Sequence, residues 1–195
     1  MLEQLDTDRV RMNFRGPGEA TQQAETQIAG TMTTAPIVVG SLLIGADALV
    51  GEMVKSRIPH MLGLDWGPYT TLGVVRRGKL VGGVVYHCYR GFDVQISAAF
   101  DQIGWALPGT LRALCAYPFR ELKVQRVSVL TGRRNKKARK LLCDLGFRFV
   151  GVARRGLDGV QDALIFELLR ENCKWLKDRD NGTISTTSSA AARSV

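Results

Sequence analysis

One segment near the C-terminus predicts a strand, a capped helix and a second strand with no break between them. Val124–Leu130 is an apolar, partly β-branched run, and Asn135 stands at the cap of a helix that runs to Asp144. Gly146 ends this helix as a C-terminal glycine does, and Phe147–Arg154 forms the next strand. The apolar face of such a helix needs a partner, so the segment predicts a sheet on which the helix packs.

The rest of the chain predicts further strands and helices in an order typical of a mixed sheet. The other predicted elements are a helix (Ala46–Arg57), three strands (Thr70–Val75, Leu80–Tyr86 and Asp93–Phe100), a helix opened by Pro108, a strand (Gln161–Leu168) and a final helix (Leu169–Asp178). The first three strands should be antiparallel, whereas the strand–helix–strand passage from Ile96 to Leu130 predicts a parallel pair with a right-handed crossover. The fold class is therefore α/β, with a mixed central sheet and helices on both faces.

The two ends of the chain differ in composition from the part between them. Residues 1–35 are polar and predict an extended arm with at most a short helix near Glu19–Ile28, and residues 178–195 predict a flexible low-complexity tail. The globular domain should span residues 36–177. The N-terminus lacks the order of a signal peptide, and no apolar stretch reaches the ~20 residues of a membrane span, so we expect a cytoplasmic protein with no membrane partner.

The charge of the chain is concentrated in its C-terminal half. The net charge is +9, residues 1–110 carry −1, and six of the eight residues 133–140 are cationic. Such asymmetry favours a polyanionic partner, whether the phosphates of a cofactor, a nucleic acid or an acidic protein surface, although a solvated helix face also explains the run. Nucleic acid is the unlikely choice because no aromatic residues interleave with the cations. The four cysteines are too widely spaced for a zinc site.

Residues 135–147, Asn-Lys-Lys-Ala-Arg-Lys-Leu-Leu-Cys-Asp-Leu-Gly-Phe, resemble a segment of the GNAT superfamily of acyl-CoA-dependent N-acetyltransferases. Three further segments, Leu111–Phe119, Leu122–Val127 and Asp162–Leu168, look like the subfamily that acetylates the N-termini of ribosomal proteins. The ending Arg170–Leu176 is similar to that of GNAT-like proteins of phages and prophages. The resemblance covers about residues 36–177 and implies an acetyl-CoA-dependent transferase that acetylates a primary amine of a protein or small molecule.

The resemblance also implies where acetyl-CoA would bind. Two splayed parallel strands, here residues 93–100 and 124–130, would hold the pantetheine arm like an added strand. The pyrophosphate would sit on the N-terminus of the following helix, and the basic run would meet the 3′-phosphate. The cofactor-binding residues expected on this basis are Ala98, Leu107, Gly109, Thr110, Leu111, Arg133, Arg134, Asn135 and Lys137.

For catalysis, the resemblance implies that a backbone N–H at Ser97 to Ala99 polarises the acetyl carbonyl. Asp101 follows the same strand and is the expected general base, although a turn or cap carboxylate is the alternative interpretation. His87, Asp93 and Glu52 are further base candidates. The alternative interpretations are a hydrogen-bonded structural histidine for His87, a turn residue for Asp93 and a solvated helix face for Glu52. The acceptor amine should lie against loops 58–70 and 156–161.

Two departures from the family pattern leave a second hypothesis open. The pyrophosphate loop, Gln/Arg-x-x-Gly-x-Gly/Ala, retains only Gly109 of its three marked positions, which otherwise hold Gly104 and Leu107. The position of the family's tyrosine acid is Leu142. The chain could therefore be a structural or interaction protein of a larger assembly such as a phage particle, with neighbouring chains holding its arms.

Overall fold

A computed structural model describes residues 36–101 and 104–176 of the 195-residue chain. The predicted N-terminal arm with its short helix and the predicted tail 178–195 lie outside the described residues.

Eight strands and three α-helices make up the described part of the chain. In chain order they are β1 (Ile37–Val39), β2 (Leu42–Ile44), α1 (Asp47–Lys55), β3 (Tyr69–Arg76), β4 (Lys79–His87), β5 (Asp93–Phe100), α2 (Pro108–Arg120), β6 (Arg126–Gly132), α3 (Lys136–Leu145), β7 (Arg148–Ala153) and β8 (Ala163–Leu169). Short 3₁₀ turns lie at Pro59–Met61 and Arg170–Asn172.

The strands form one mixed sheet in the order β1-β2-β3-β4-β5-β6-β8-β7. Every neighbouring pair is antiparallel except β5 and β6, which run parallel and are joined by α2. The sheet therefore consists of two antiparallel blocks, β1–β5 and β6-β8-β7, that meet at one parallel seam. The predicted α/β fold class and the predicted parallel pair are both confirmed.

Helices cover both faces of the sheet. On one face α1 buries Val50 and Val54 against Trp66 and Val85. On the other face Leu114 and Phe119 of α2 and Leu142 of α3 join the main core. A fully buried aliphatic or phenylalanine side chain contributes about 1.5–3 kcal/mol, so these helices are held by packing more than by helix propensity.

Local signals explain α3 and the β3–β4 turn. The Asn135 side chain accepts a hydrogen bond from the Ala138 amide at 3.1 Å, and Gly146 ends α3 with a φ of +102°. In the β3–β4 turn Arg77 and Gly78 have φ values of +50° and +74°, which is the type I′ geometry that tight hairpins favour. The predicted bounds of α3 and of the β3–β4 hairpin are confirmed to within a few residues.

The predicted final helix, Leu169–Asp178, is wrong over its described part. After β8 the chain makes one 3₁₀ turn and then continues without regular structure to residue 176. Tertiary contacts fix this path, because Arg170 donates to the Phe119 carbonyl and the Trp175 indole donates to the Leu145 carbonyl at 3.2 Å. These bonds anchor the segment across α2 and α3 instead of within a helix of its own.

Two smaller differences concern strands. The short hairpin β1–β2 was not predicted, although Gly40-Ser41 separates two apolar triplets there. Strand β6 begins at Arg126 and not at Val124, because Val124 is fully buried just after α2 and donates its amide to the Pro118 carbonyl at 3.2 Å. None of the described helices is long and apolar enough to cross a membrane.

Candidate functional site

The seam between the two blocks opens into a cleft. Strands β5 and β6 pair only where Asp93–Gln95 lie beside Arg126–Ser128, although β5 continues to Phe100 and β6 to Gly132. Beyond the last pair the strands diverge and leave a cleft of about 700 Å³ between their C-terminal halves. We call it the strand cleft.

The edge of β5 that faces the strand cleft offers backbone groups. Phe92 and Val94 direct their carbonyls towards β6, since they accept from the Arg126 amide at 3.1 Å and from the Ser128 hydroxyl at 3.5 Å. Alternate residues of a strand point their backbone groups the same way, so Ala98 also faces β6. Because Ala98 lies past the paired stretch, no described strand takes its N–H, and an extended ligand can bond there as an added strand does.

Side chains from several elements line the strand cleft. The polar ones include Ser97 and Asp101 at the end of β5, Arg134 and Asn135 at the start of α3, His60 after α1, and Asp158 and Gln161 before β8. His60 belongs to loop 58–70 and Asp158 to loop 156–161, so both loops expected at the acceptor site contribute to one cleft.

Asp101 forms an ion pair at the mouth of the strand cleft. Arg57 donates its Nε to one carboxylate oxygen of Asp101 and its Nη2 to the other at 2.6 Å. Arg57 also donates to the Met53 carbonyl at 2.8 Å, which fixes it to the end of α1. The hydrogen bonds from Arg57 lower the pKa of Asp101, so its carboxylate is ionised and paired and therefore a weak base.

His60 is a titratable group in the same cleft that the sequence predictions missed. It is half-buried, and burial lowers its pKa while the negative charge of Asp158 opposes that shift. Asp158 itself accepts hydrogen bonds from the amides of Val160 and Gln161 at 2.9 and 2.6 Å, which lower its pKa. His60 is therefore neutral near pH 7 and able to accept a proton. The sequence offered one indication of this role, because His60 is the histidine of loop 58–70, which was expected at the acceptor site.

Ser97 is oriented by a buried histidine. Its hydroxyl lies 3.0 Å from Nε2 of His87, whose ring centroid is 5.1 Å from that of Trp66. Burial lowers the pKa of His87 to about 4, so His87 is neutral at physiological pH. His87 is not among the residues that line the strand cleft. It touches the site through Ser97.

The other two base candidates lie away from the strand cleft. Asp93 is buried at the opposite end of β5, where Arg126 lies 3.4 Å from its carboxylate. Glu52 is exposed on α1 and makes an i,i+3 pair with Lys55 at 3.7 Å. In this structure Asp93 ties strands together and Glu52 belongs to a helix surface.

The residues expected at the pyrophosphate lie in a second cleft. Leu107, Gly109 and Thr110, at the start of α2, line a cleft of about 1150 Å³ together with the β3–β4 turn. We call it the hairpin cleft. The rings of Phe100 and Trp105 stack with centroids 3.5 Å apart, and Phe100 lines the strand cleft while Trp105 lines the hairpin cleft. The stacked pair therefore stands between the two clefts.

The remaining predicted cofactor residues are scattered. Leu111 lines a small apolar cavity of about 50 Å³ under the sheet. Arg133 lines an open groove on the outer side of α3, against Phe149 and Phe166. Lys137 is exposed on α3 and is not among the residues lining the strand cleft. The structure thus brings together Ser97, Ala98, Asp101, Arg134 and Asn135 and leaves the others elsewhere.

Comparison with sequences gives no match, either to a family model or to a curated protein.

Comparison with solved structures gives many matches. A GNAT-family acetyltransferase from Bacillus anthracis matches with a TM-score of 0.50 and 18% identity over 70% of this chain and 99% of that one. Mycobacterium smegmatis RimJ in complex with CoA-disulfide matches with a TM-score of 0.51 and 18% identity over 70% and 87% of the two chains. A putative ribosomal-protein-serine acetyltransferase from Vibrio cholerae matches with a TM-score of 0.51 and 16% identity over 71% and 99%. At these identities the likeness is one of fold.

Proposed function

Because the chain has the fold of the GNAT acetyltransferases, we propose that it binds acetyl-CoA in the strand cleft and transfers the acetyl group to a primary amine of a protein or small molecule. The observation that carries the proposal is the divergence of β5 and β6 after three residue pairs. The cleft also fits such a donor chemically, because its β5 edge presents an unpaired amide and its volume lies in the range of small-molecule sites.

Ala98 would position the donor. An amide-containing arm lying along β5 pairs with the free backbone groups of Ala98 as a further strand would. Of the predicted stretch Ser97–Ala99, only Ala98 turns its N–H to the cleft, and this N–H then polarises the acetyl carbonyl as negative charge develops on its oxygen. The hydrogen bond between Ser97 and His87 keeps this part of β5 in place.

His60 would accept the proton of the amine. The amine nitrogen bonds to the acetyl carbon and the thioester C–S bond breaks with its electron pair on sulfur, so CoA leaves as the thiolate. The proton that the nitrogen loses goes to neutral His60. Its lowered pKa keeps it free to act near neutral pH. Holding amine and thioester together in one cleft supplies much of the rate by proximity.

Asp101 as the base stays a prediction, and its ion pair with Arg57 argues against that role. A carboxylate held by two guanidinium hydrogen bonds gains little by taking up a proton. We propose instead that the pair fixes the end of α1 against β5 and so shapes the mouth of the cleft. A structural role in a phage particle also stays a prediction.

The first test is acetyl-CoA binding by titration calorimetry. Proline at position 98 removes the N–H that faces the cleft without taking a bond from the described sheet, so Ala98→Pro should lose binding, while the matched control Ala98→Ser should keep it. Circular dichroism and the melting temperature check that both variants fold. Wild-type protein that fails to bind millimolar acetyl-CoA would overturn the proposed function.

The second part of the test is acetyl transfer to a panel of amines, which is measured by the release of the CoA thiol. His60→Gln should bind acetyl-CoA normally but transfer acetyl about 10²–10⁴-fold more slowly. The wild-type rate should rise with pH through the pKa of His60, and the variant should lack that rise. An unchanged rate in His60→Gln would exclude His60 as the base.

A further inference from the structure

The small apolar cavity lies between the sheet and helices α2 and α3. Its volume of about 50 Å³ exceeds the roughly 10–15 Å³ that a single water molecule requires. None of the thirteen described residues that line it carries a charge. Burial raises the pKa of Cys115 in its wall to about 12, so this thiol stays protonated. A cavity with such a lining stays dry and favours an apolar occupant.

The cavity adjoins the strand cleft. Ile96, Phe100 and Leu142 line both spaces. The first two residues belong to β5 and the third to α3, so the cavity and the cleft meet where β5 faces α3. These three residues form the shared boundary of the two spaces.

Ala98 stands beside this boundary. Alternate side chains of a strand point to the same face of the sheet, so the Ala98 methyl group lies between the side chains of Ile96 and Phe100. Val84 lies opposite Ala98 on β4 and also lines the cavity. Ala98 itself is exposed and lines the strand cleft. Its small side chain leaves open a position that a larger residue would fill.

We propose that the apolar cavity takes up the alkyl chain of a short-chain acyl-CoA donor, such as propionyl-CoA or butyryl-CoA. This inference rests on the proposed function and names the substrate class of the same site. The Ala98 N–H binds the acyl carbonyl oxygen there, so the alkyl chain on the same carbonyl carbon begins beside the Ala98 methyl group and next to the shared boundary. An acetyl group is too short to fill the cavity.

Filling the cavity favours the longer donors. An empty apolar cavity lowers stability because its walls lack contacts, and each methylene group that enters it leaves water and restores some of them. The transfer step is unchanged. The amine nitrogen bonds to the acyl carbonyl carbon, the C–S bond breaks with its electron pair on sulfur, and the proton of the amine goes to His60.

Titration calorimetry on the wild-type protein tests the chain length with free CoA, acetyl-CoA, propionyl-CoA and butyryl-CoA. Burial of one methylene group raises affinity by up to about 4-fold, which corresponds to about 0.8 kcal/mol. Propionyl-CoA should therefore bind about 2–4-fold more tightly than acetyl-CoA, and butyryl-CoA about 4–15-fold more tightly.

Two cysteines provide a matched pair of variants. Cys115 lines the cavity, whereas Cys143 is exposed on α3 and lines the groove on its outer side. Cys115→Leu fills part of the cavity, so it should bring the affinity for butyryl-CoA to within about 2-fold of that for acetyl-CoA. Cys143→Leu should keep the wild-type preference. Val84→Leu fills the cavity from the sheet and is the second filling variant, in case Cys115→Leu does not fold.

The outcomes separate this inference from the proposed function. Equal or weaker wild-type binding of butyryl-CoA than of acetyl-CoA would overturn the inference and leave the proposed function standing. So would a preference for butyryl-CoA that survives in both filling variants, since the chain would then lie elsewhere. Failure of all three acyl esters to bind would overturn both. Binding of butyryl-CoA without acetyl-CoA, lost in the filling variants, would support the cavity as the acyl site and overturn acetyl-CoA as the donor.

Discussion

The two histidines of the chain have different surroundings and therefore different roles. His87 is enclosed between Trp66 and Ser97, whereas His60 sits half-buried at a cleft beside the charge of Asp158. His87 is a base candidate from the sequence and His60 is not, because a histidine in an apolar strand stands out and one in a loop does not. The neighbours that decide which histidine faces the cleft and which is enclosed are brought together only by the fold.

The same limit applies to Asp101. Its position at the end of a strand was readable from the sequence, but its partner Arg57 lies 44 residues away. No local pattern reveals that pair, and the pair decides how basic the carboxylate is.

Burial of neutral His87 should make the stability of the protein depend on pH. Its folded pKa of about 4 lies below the unfolded value of about 6.5, so between these values the unfolded state binds more protons. Stability is therefore complete above the unfolded pKa and falls as the pH drops through this window. Linkage predicts a loss of about 2 kcal/mol between pH 7.5 and pH 5 from this group.

Urea unfolding at the two pH values measures this contribution. His87→Gln should lose most of the difference that wild type shows, because glutamine does not titrate. The matched control His60→Gln should retain most of it. A wild-type slope that survives in His87→Gln would assign the pH dependence to other groups.

At the scale of elements, prediction succeeded where the determinants are local. The Asn135 cap and the Gly146 stop each act within a few residues, and so does the type I′ turn at Arg77-Gly78. The predicted final helix is wrong because the path of this segment depends on a distant contact, the hydrogen bond from the Trp175 indole to the carbonyl of Leu145 in α3, 30 residues away. Three-residue strands such as β1 and β2 are too short for a pattern to develop.

Close packing of β4 on β5 depends on Gly82. A Cβ at this position would overlap the Phe100 ring and approach the Ala99 carbonyl oxygen to 2.6 Å, and that backbone atom cannot move without β5. Gly82→Ala should therefore reduce the free energy of unfolding by about 1–3 kcal/mol. Because Phe100 lines the strand cleft, the same variant should weaken acetyl-CoA binding.

Gly151 in β7 is the matched control, since nothing lies within 4 Å of a Cβ added there. Gly151→Ala should leave stability unchanged or raise it by up to about 1 kcal/mol. Equal effects of the two substitutions in urea unfolding would show that β5 is free to shift.

At the scale of the whole molecule, the seam between the two blocks is short and reinforced by charge. Only three residue pairs join β5 to β6, and beside them Arg126 lies 3.4 Å from Asp93 and 2.8 Å from Glu167. Asp93 is buried, and Arg90 lies 3.6 Å from its other carboxylate oxygen. The strand–helix–strand order predicts the parallel pair of β5 and β6. It does not predict that the pairing stops after three residues, because no pattern in the sequence indicates where two strands diverge.

Arg126→Met should destabilise the protein by about 1–3 kcal/mol, since it removes one of the two arginines that pair with the buried Asp93 carboxylate. Adding Asp93→Asn should recover part of the loss, giving a coupling of about 0.5–3 kcal/mol in a double-mutant cycle. Lys140→Met, which breaks the exposed pair with Asp144, should cost less than about 1 kcal/mol. Additive effects of the Arg126 and Asp93 changes would show that this pair does not tie the seam.

Each block of the sheet is also continuous along the chain, residues 37–100 and 126–169, and α2 is the crossing between them. Within a block the pairings join strands that are near in sequence, and such low-contact-order pairings close quickly. We therefore expect the two blocks to form before they dock along the three residue pairs of β5 and β6. The strand cleft lies between the two blocks, so a molecule bound across it would contact both and should stabilise their docked arrangement.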